Sequence, residues 1–181
     1  MLIIGVCGSP RKGNTEWMLT KLLEGAADAG AETELILLRQ KTIERCDGCL
    51  ACEAGGENRK GVCRIEDDMQ QIYPRLLQAD GLAFGTPVYF ELLSGLLKDF
   101  MDRTCPIWPL LKAKPIAGTA VAEAGIGKAV QNLETYASLC DMHWVGHVTT
   151  LAKNPGQAAK DKELELELKR LGAKLAEAAE H

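Results

Sequence analysis

Along this chain the apolar and polar positions alternate in blocks that predict strands and helices in regular succession. Residues 2–7, LIIGVC, form a continuous apolar run that breaks at Gly8-Ser9-Pro10, the pattern of a strand buried on both faces. Residues 15–27 follow with Trp17, Met18, Leu22 and Leu23 at helical spacing, and the pattern stops near Gly30. TELILL (33–38) predicts a second strand, and GLAFGTPV (81–88) a third, ended by Gly85 and Pro87. Between them Asp67-Asp68 marks a helix start, with the helix reaching about Gln78 and a kink or step at Pro74. Ser94 to Arg103 carries Leu96, Leu97, Phe100 and Met101 and is helical. PIAGTAVA (115–122) is a fourth strand, 128–139 a helix, and HWVGHVTTL (143–151) a fifth strand. From Gln157 onward Leu164, Leu168, Leu171 and Leu175 share one stripe among Glu and Lys, an amphipathic closing helix.

Five strands alternating with helices predict an α/β fold, a doubly wound parallel sheet with helices on both faces. Residues 42–66 and 104–114 stand outside the alternation, each in a connection. The 181 residues suit a single domain over 1–181, with a cysteine-rich insertion at about 42–66. Apolar residues make up 46% and charged residues 25%, and the net charge of −4 favours neither nucleic acid nor an anionic membrane. The opening MLIIGVCGSP has no basic n-region, and no apolar run approaches the roughly 20 residues of a membrane span. The expected setting is therefore the cytoplasm, where thiols stay reduced.

In an open α/β sheet, ligands bind beyond the carboxyl ends of the strands. The first such loop is GSPRKGNT, residues 8–15. Its glycines, Gly13 among them, allow close backbone approach, and amides at a helix N-terminus converge on an anion. Ser9, Asn14 and Thr15 add donors, and Arg11 and Lys12 add charge. Asn14 stands where a nucleotide-triphosphatase loop needs its lysine, and the dinucleotide spacing G-x-G-x-x-G is absent. A single terminal phosphate fits best. After strand 3, Thr86, Pro87, Val88, Tyr89 and Phe90 offer an apolar and aromatic wall in a chain with only three residues each of Trp, Tyr and Phe. After strand 4, the glycine-rich loop with Glu123, Gly125 and Gly127 closes the same end.

The second candidate is CDGCLACEAGGENRKGVC, residues 46–63, with spacing C-x2-C-x2-C-x10-C. Seven cysteines, an odd number, and a reducing setting argue against a disulfide framework. Three thiolates two residues apart can wrap one face of an iron–sulfur cube, with a distant fourth closing it. A zinc site more often draws on two separated pairs, so iron–sulfur is favoured, with zinc and redox-sensor thiols left as alternatives. Cys7, Cys105 and Cys140 read as packing. His143 and His147, four apart in a strand, would face one side about 13 Å apart, too far to share an ion.

GSPRKGNT, GTPVYF and the run DGLAFGTPVYFELLSGLLKDFMDR resemble the NADPH-dependent FMN reductase family, and the cysteine run resembles its iron–sulfur flavoprotein branch. The resemblance implies a flavodoxin-like five-stranded sheet in the order 2-1-3-4-5. It implies an oxidoreductase with FMN, its phosphate held by Ser9, Arg11, Asn14 and Thr15 and its ring along residues 86–90. It further implies a [4Fe–4S] cluster on Cys46, Cys49, Cys52 and Cys63, although the final gap is longer than that branch usually shows. The cluster-free alternative is an NAD(P)H-dependent FMN or quinone reductase. Expected partners are ferredoxin or NAD(P)H, together with other copies of the chain in a homodimer or homotetramer.

Overall fold

The computed structural model describes residues 1–53 and 63–180. Five parallel strands, β1 (Leu2–Cys7), β2 (Glu32–Leu37), β3 (Gly81–Tyr89), β5 (Pro115–Ala122) and β6 (His143–Leu151), lie in the order β2-β1-β3-β5-β6. That is the expected 2-1-3-4-5 arrangement with one addition. A short strand, β4 (Leu92–Leu93), folds back antiparallel on the end of β3, pairing Val88 with Leu93 and Tyr89 with Leu92. β1, β3 and β5 are covered on both faces, which is why they read as unbroken apolar runs rather than alternating ones.

The helices are α1 (Asn14–Asp28), α2 (Met69–Gln78), α3 (Gly95–Arg103), α4 (Ala129–Leu139) and α5 (Lys162–Ala179). On one face of the sheet, residues of α2, α3 and α4 pack on Phe84, Leu82 and Ile116. Phe84 meets Phe100 edge-on, with ring centroids 5.8 Å apart. On the other face α1 and α5 bury Met18, Leu19, Leu22, Leu168 and Leu175. The stripe of Leu164, Leu168, Leu171 and Leu175 is the buried side of α5, and Asp161 caps that helix by accepting from Glu163 N and Leu164 N at 3.0 Å. α1 and α5 meet backbone to backbone. A Cβ at Gly172 would lie 1.9 Å from Leu22 O, and one at Gly25 would lie 2.1 Å from Lys169 O.

β6 departs from the regular period. A bulge between the Ile116–Trp144 and Ala117–Gly146 pairs inserts Val145 and reverses the facing of everything after it. His147 thus comes to α4, with Glu134 4.0 Å away, while His143 lies beside Ala178 of α5. The two histidines are on opposite faces, not on one as the period-2 reading expects. No helix among the described residues is long and apolar enough to cross a membrane.

Candidate functional site

The loop from β1 to α1 is folded by its own polar side chains. Ser9 Oγ donates to Arg11 O at 2.7 Å and accepts from Arg11 N at 3.3 Å. Gly8 N donates to Gly85 O at 2.8 Å, and Ser94 Oγ donates to Gly8 O at 2.7 Å. Asn14 ties the start of α1 to the connection after β6, donating to Asn154 O at 2.9 Å and accepting from Ala158 N at 3.3 Å. Ser9 and Asn14 are therefore builders of the loop through these bonds. No side chain caps α1 at Gly13, so the amides of its first turn are left to an outside acceptor.

These amides open on a cavity of about 170 Å³ at the carboxyl ends of β1, β3, β5 and β6. Ser9, Arg11, Lys12, Gly13, Asn14 and Thr15 line one side, and Pro87, Val88, Tyr89 and Glu123 the other. The volume is below the roughly 300–1,000 Å³ of a whole small-ligand pocket. It has room for one small anionic group, with Pro87, Val88 and Tyr89 beside it. Sequence reasoning missed Val121, Ala122, Ala152, Lys153 and Pro155, which complete the lining. Their position at the end of β5 and just after β6 was the available signal. Lys153 pairs with Glu123 at 2.6 Å, and that hydrogen bond and charge hold the ammonium above its ordinary range.

Four expected residues lie outside this lining. Thr86 is buried beneath it, accepting from Ser94 N at 2.9 Å and donating to Pro87 O at 2.8 Å. Ser94, which also caps α3 through Leu97 N, is thus the unforeseen link between the β3 loop and the β1–α1 loop. Phe90 sits fully exposed at the tip of the β3–β4 hairpin, where Phe90 and Glu91 both have positive φ, as a tight two-residue turn requires. Gly125 contacts nothing within 4 Å of a Cβ position. Gly127, at φ +54°, latches the hairpin: a Cβ there would meet Glu91 Cβ at 2.3 Å, and the adjacent Lys128 N donates to Glu91 O at 2.6 Å.

The cysteine segment is held at both ends by one buried ion pair. Arg103 Nη1 donates to Glu44 O at 2.6 Å and Asp67 Oδ2 at 2.5 Å, and Nη2 donates to Asp67 Oδ1 at 3.1 Å. Asp67 also accepts from Glu44 N and Met69 N. Burial alone would raise its carboxyl pKa, but Arg103 and these amides outweigh that and hold it below the usual range. Cys52 is half-buried, and burial followed by its contact with Cys105 pushes its thiol up to about 11. Cys63 is half-buried against the core, whereas Cys46 and Cys49 are exposed. No group of three or more metal-ligating side chains is gathered among the described residues. The donor chemistry of four thiols suits a soft metal or an iron–sulfur cluster. Cys7 and Cys140 are buried packing thiols, their pKa values raised chiefly by desolvation.

A doubly wound parallel sheet in the order β2-β1-β3-β5-β6, with helices on both faces and a cavity at the carboxyl ends of its strands, defines a flavodoxin-like protein. The chain belongs to the NADPH-dependent FMN reductase family, whose model matches residues 1–156, and it is an oxidoreductase flavoprotein of that family. It is 35% identical to an iron–sulfur flavoprotein of Methanocaldococcus jannaschii, covering 98% of this chain and 96% of that protein. It is 33% identical to one of Archaeoglobus fulgidus, over 99% of this chain and 81% of the relative. Among solved structures, a flavone reductase superposes with a TM-score of 0.79 at 22% identity, over 99% of this chain and 63% of that one. An archaeal flavodoxin superposes at 0.68 and 17% identity over the full length of both. These likenesses show the fold.

Proposed function

We propose that this protein is an FMN-dependent electron-transfer enzyme whose cysteine segment carries a [4Fe–4S] cluster, passing electrons between a one-electron carrier such as ferredoxin and a two-electron acceptor. The carrying observation is the cavity at the uncapped start of α1, lined by Arg11, Lys12 and Thr15 on one side and by Pro87, Val88 and Tyr89 on the other. Bound FMN supplies the exchange between one- and two-electron chemistry, and a cluster supplies the one-electron port. In this reading the α1 amides, Arg11 and Lys12 bind the phosphate. Pro87, Val88 and Tyr89 orient the ring and keep water from one side of it. Cys46, Cys49, Cys52 and Cys63 hold the cluster as thiolates, so loading must release the Cys52 proton. The names of the relatives support the cluster, and a cytoplasmic setting and assembly into a homodimer or homotetramer belong to the same proposal.

The second reading, a cluster-free NAD(P)H-dependent FMN or quinone reductase, is favoured by the exposure of Cys46 and Cys49. Flavin, iron, acid-labile sulfide and zinc analysis of anaerobically purified protein decides between the two. Flavin bands with broad underlying absorption, iron and sulfide are expected. Flavin without iron or sulfide, even after reconstitution, leaves the reductase. Zinc or bare thiols without flavin overturn both in favour of a sensor.

A further inference from the structure

The sequence reading assigns Cys105 to packing, yet the structure sets its sulfur 3.6 Å from that of Cys52, 53 positions away in the chain. The contact is not a chance of a loose surface. Cys105 follows directly on α3, its N–H donating to Asp102 O at 3.3 Å, and Thr104 Oγ1 anchors the same turn by donating to Met101 O at 2.7 Å. Arg103, two residues before Cys105, grips both Glu44 and Asp67 and so fixes the segment from which Cys52 is reached. Cys52 itself sits in a short turn at Ala51–Glu53, closed by Glu53 N donating to Leu50 O at 2.9 Å. Both cysteines are half-buried, unlike the buried Cys7 and Cys140, so a small oxidant reaches them. A bond between them needs the sulfurs to close from 3.6 Å to about 2.05 Å.

We propose that Cys52 and Cys105 form a dithiol site that closes to a disulfide when a peroxide oxidises it. One thiol takes an oxygen from hydrogen peroxide and becomes a sulfenic acid, releasing one water. The second sulfur then displaces that hydroxyl, the S–S bond forming as the S–O bond breaks, and a second water leaves with the remaining thiol proton. Two thiols give up two electrons, and the peroxide takes them. The inference stands on the two sulfur positions. If the cluster reading also holds, the disulfide removes Cys52 from the ligand set, so an oxidised protein refuses iron until a dithiol reduces it.

The test uses the full-length flavin-bearing protein, treated with a chelator to empty the cysteines and then with one equivalent of hydrogen peroxide. Two of the seven titratable thiols are expected to disappear, a peptide joining Cys52 to Cys105 to appear in a non-reducing digest, and dithiothreitol to restore both thiols. Cys105→Ser should lose the linked peptide, whereas Cys63→Ser should retain it. A link from Cys52 to Cys63 or Cys49, or irreversible oxidation without any link, would overturn the proposal. Iron and sulfide measured before chelation report separately on the cluster, so its failure is not confused with failure of the dithiol.

Discussion

At the scale of single residues, the phosphate loop divides between side chains that build it and side chains left for the ligand. Ser9 and Asn14 build, through bonds to Arg11 and to the connection after β6, and Arg11 and Lys12 face the cavity. The sequence singles out this loop because small, polar and basic residues coincide at one strand–helix turn, and the cavity opens beside it. It could not show the division, because the partners of Asn14 lie 140 and 144 positions away. Arg11→Ala is expected to weaken FMN by about 1.5–3 kcal/mol, the loss of one charge-assisted hydrogen bond, and to leave riboflavin nearly unaffected. Titration of the apoprotein with both flavins checks this, and equal weakening would place Arg11 away from the phosphate. At the cysteines, Ala at position 46, 49 or 52 should each abolish bound iron while FMN stays bound, read by metal analysis against flavin absorbance. Loss of both together would mean that the two sites do not form independently.

At the scale of elements, the periodic segments were legible and the special turns were not. The apolar blocks gave away the parallel strands to within two residues, and in β1, β3 and β5 burial on both faces leaves no alternation to misread. The β3–β4 hairpin stayed hidden because Phe90 and Glu91 adopt positive φ without the Gly or Asn that normally announces such a turn. The β6 bulge did carry a signal, Gly146, which takes φ +143° beside the inserted Val145, since a lone glycine inside a strand pattern marks a bulge. The clasp on the cysteine connection was as silent as the hairpin, since Arg103 and Asp67 read as a helix end and a helix start. Asp67→Asn leaves the Arg103 charge buried without its counter-charge and is expected to cost about 3–5 kcal/mol in denaturant unfolding. The pH dependence has a definite sign. Because the folded pKa of Asp67 is depressed, its contribution is complete above the unfolded value of about 3.9. It is lost as pH falls through the folded pKa. Acid should therefore destabilise the wild type through this pair below about pH 4, and Asp67→Asn should lose that part of the slope. A second element-scale case is Gly172→Ala, which drives a methyl into Leu22 O and should separate α5 from α1, lowering the melting temperature while the strand register is kept.

At the scale of the molecule, α3 joins the two candidate centres. Its cap Ser94 holds Gly8 of the phosphate loop, and its last residue Arg103 holds both ends of the cysteine segment. Nine helical residues span about 13 Å, so a change at one end has a rigid path to the other. The fold was therefore largely readable from the chain, whereas this coupling was not, because it depends on which carbonyls the two ends of one helix reach. The outer surface carries a further consequence. Phe90 is fully exposed, and Leu92 and Leu139 are exposed beside a groove of about 490 Å³ that Met101 and Tyr136 also line. An apolar patch is costly to leave in water, and in the assembly proposed above a second copy of the chain would cover it. Sedimentation of flavin-loaded wild type should accordingly give a dimer or tetramer. Leu139→Glu, which puts a charge on the rim of the groove without touching the phosphate loop, should shift the population toward monomer. The same variant should keep its flavin content, since no residue lining the phosphate cavity is changed. A wild type that sediments as a fully loaded, active monomer would remove the assembly from the proposal and leave electron exchange to proceed within one chain.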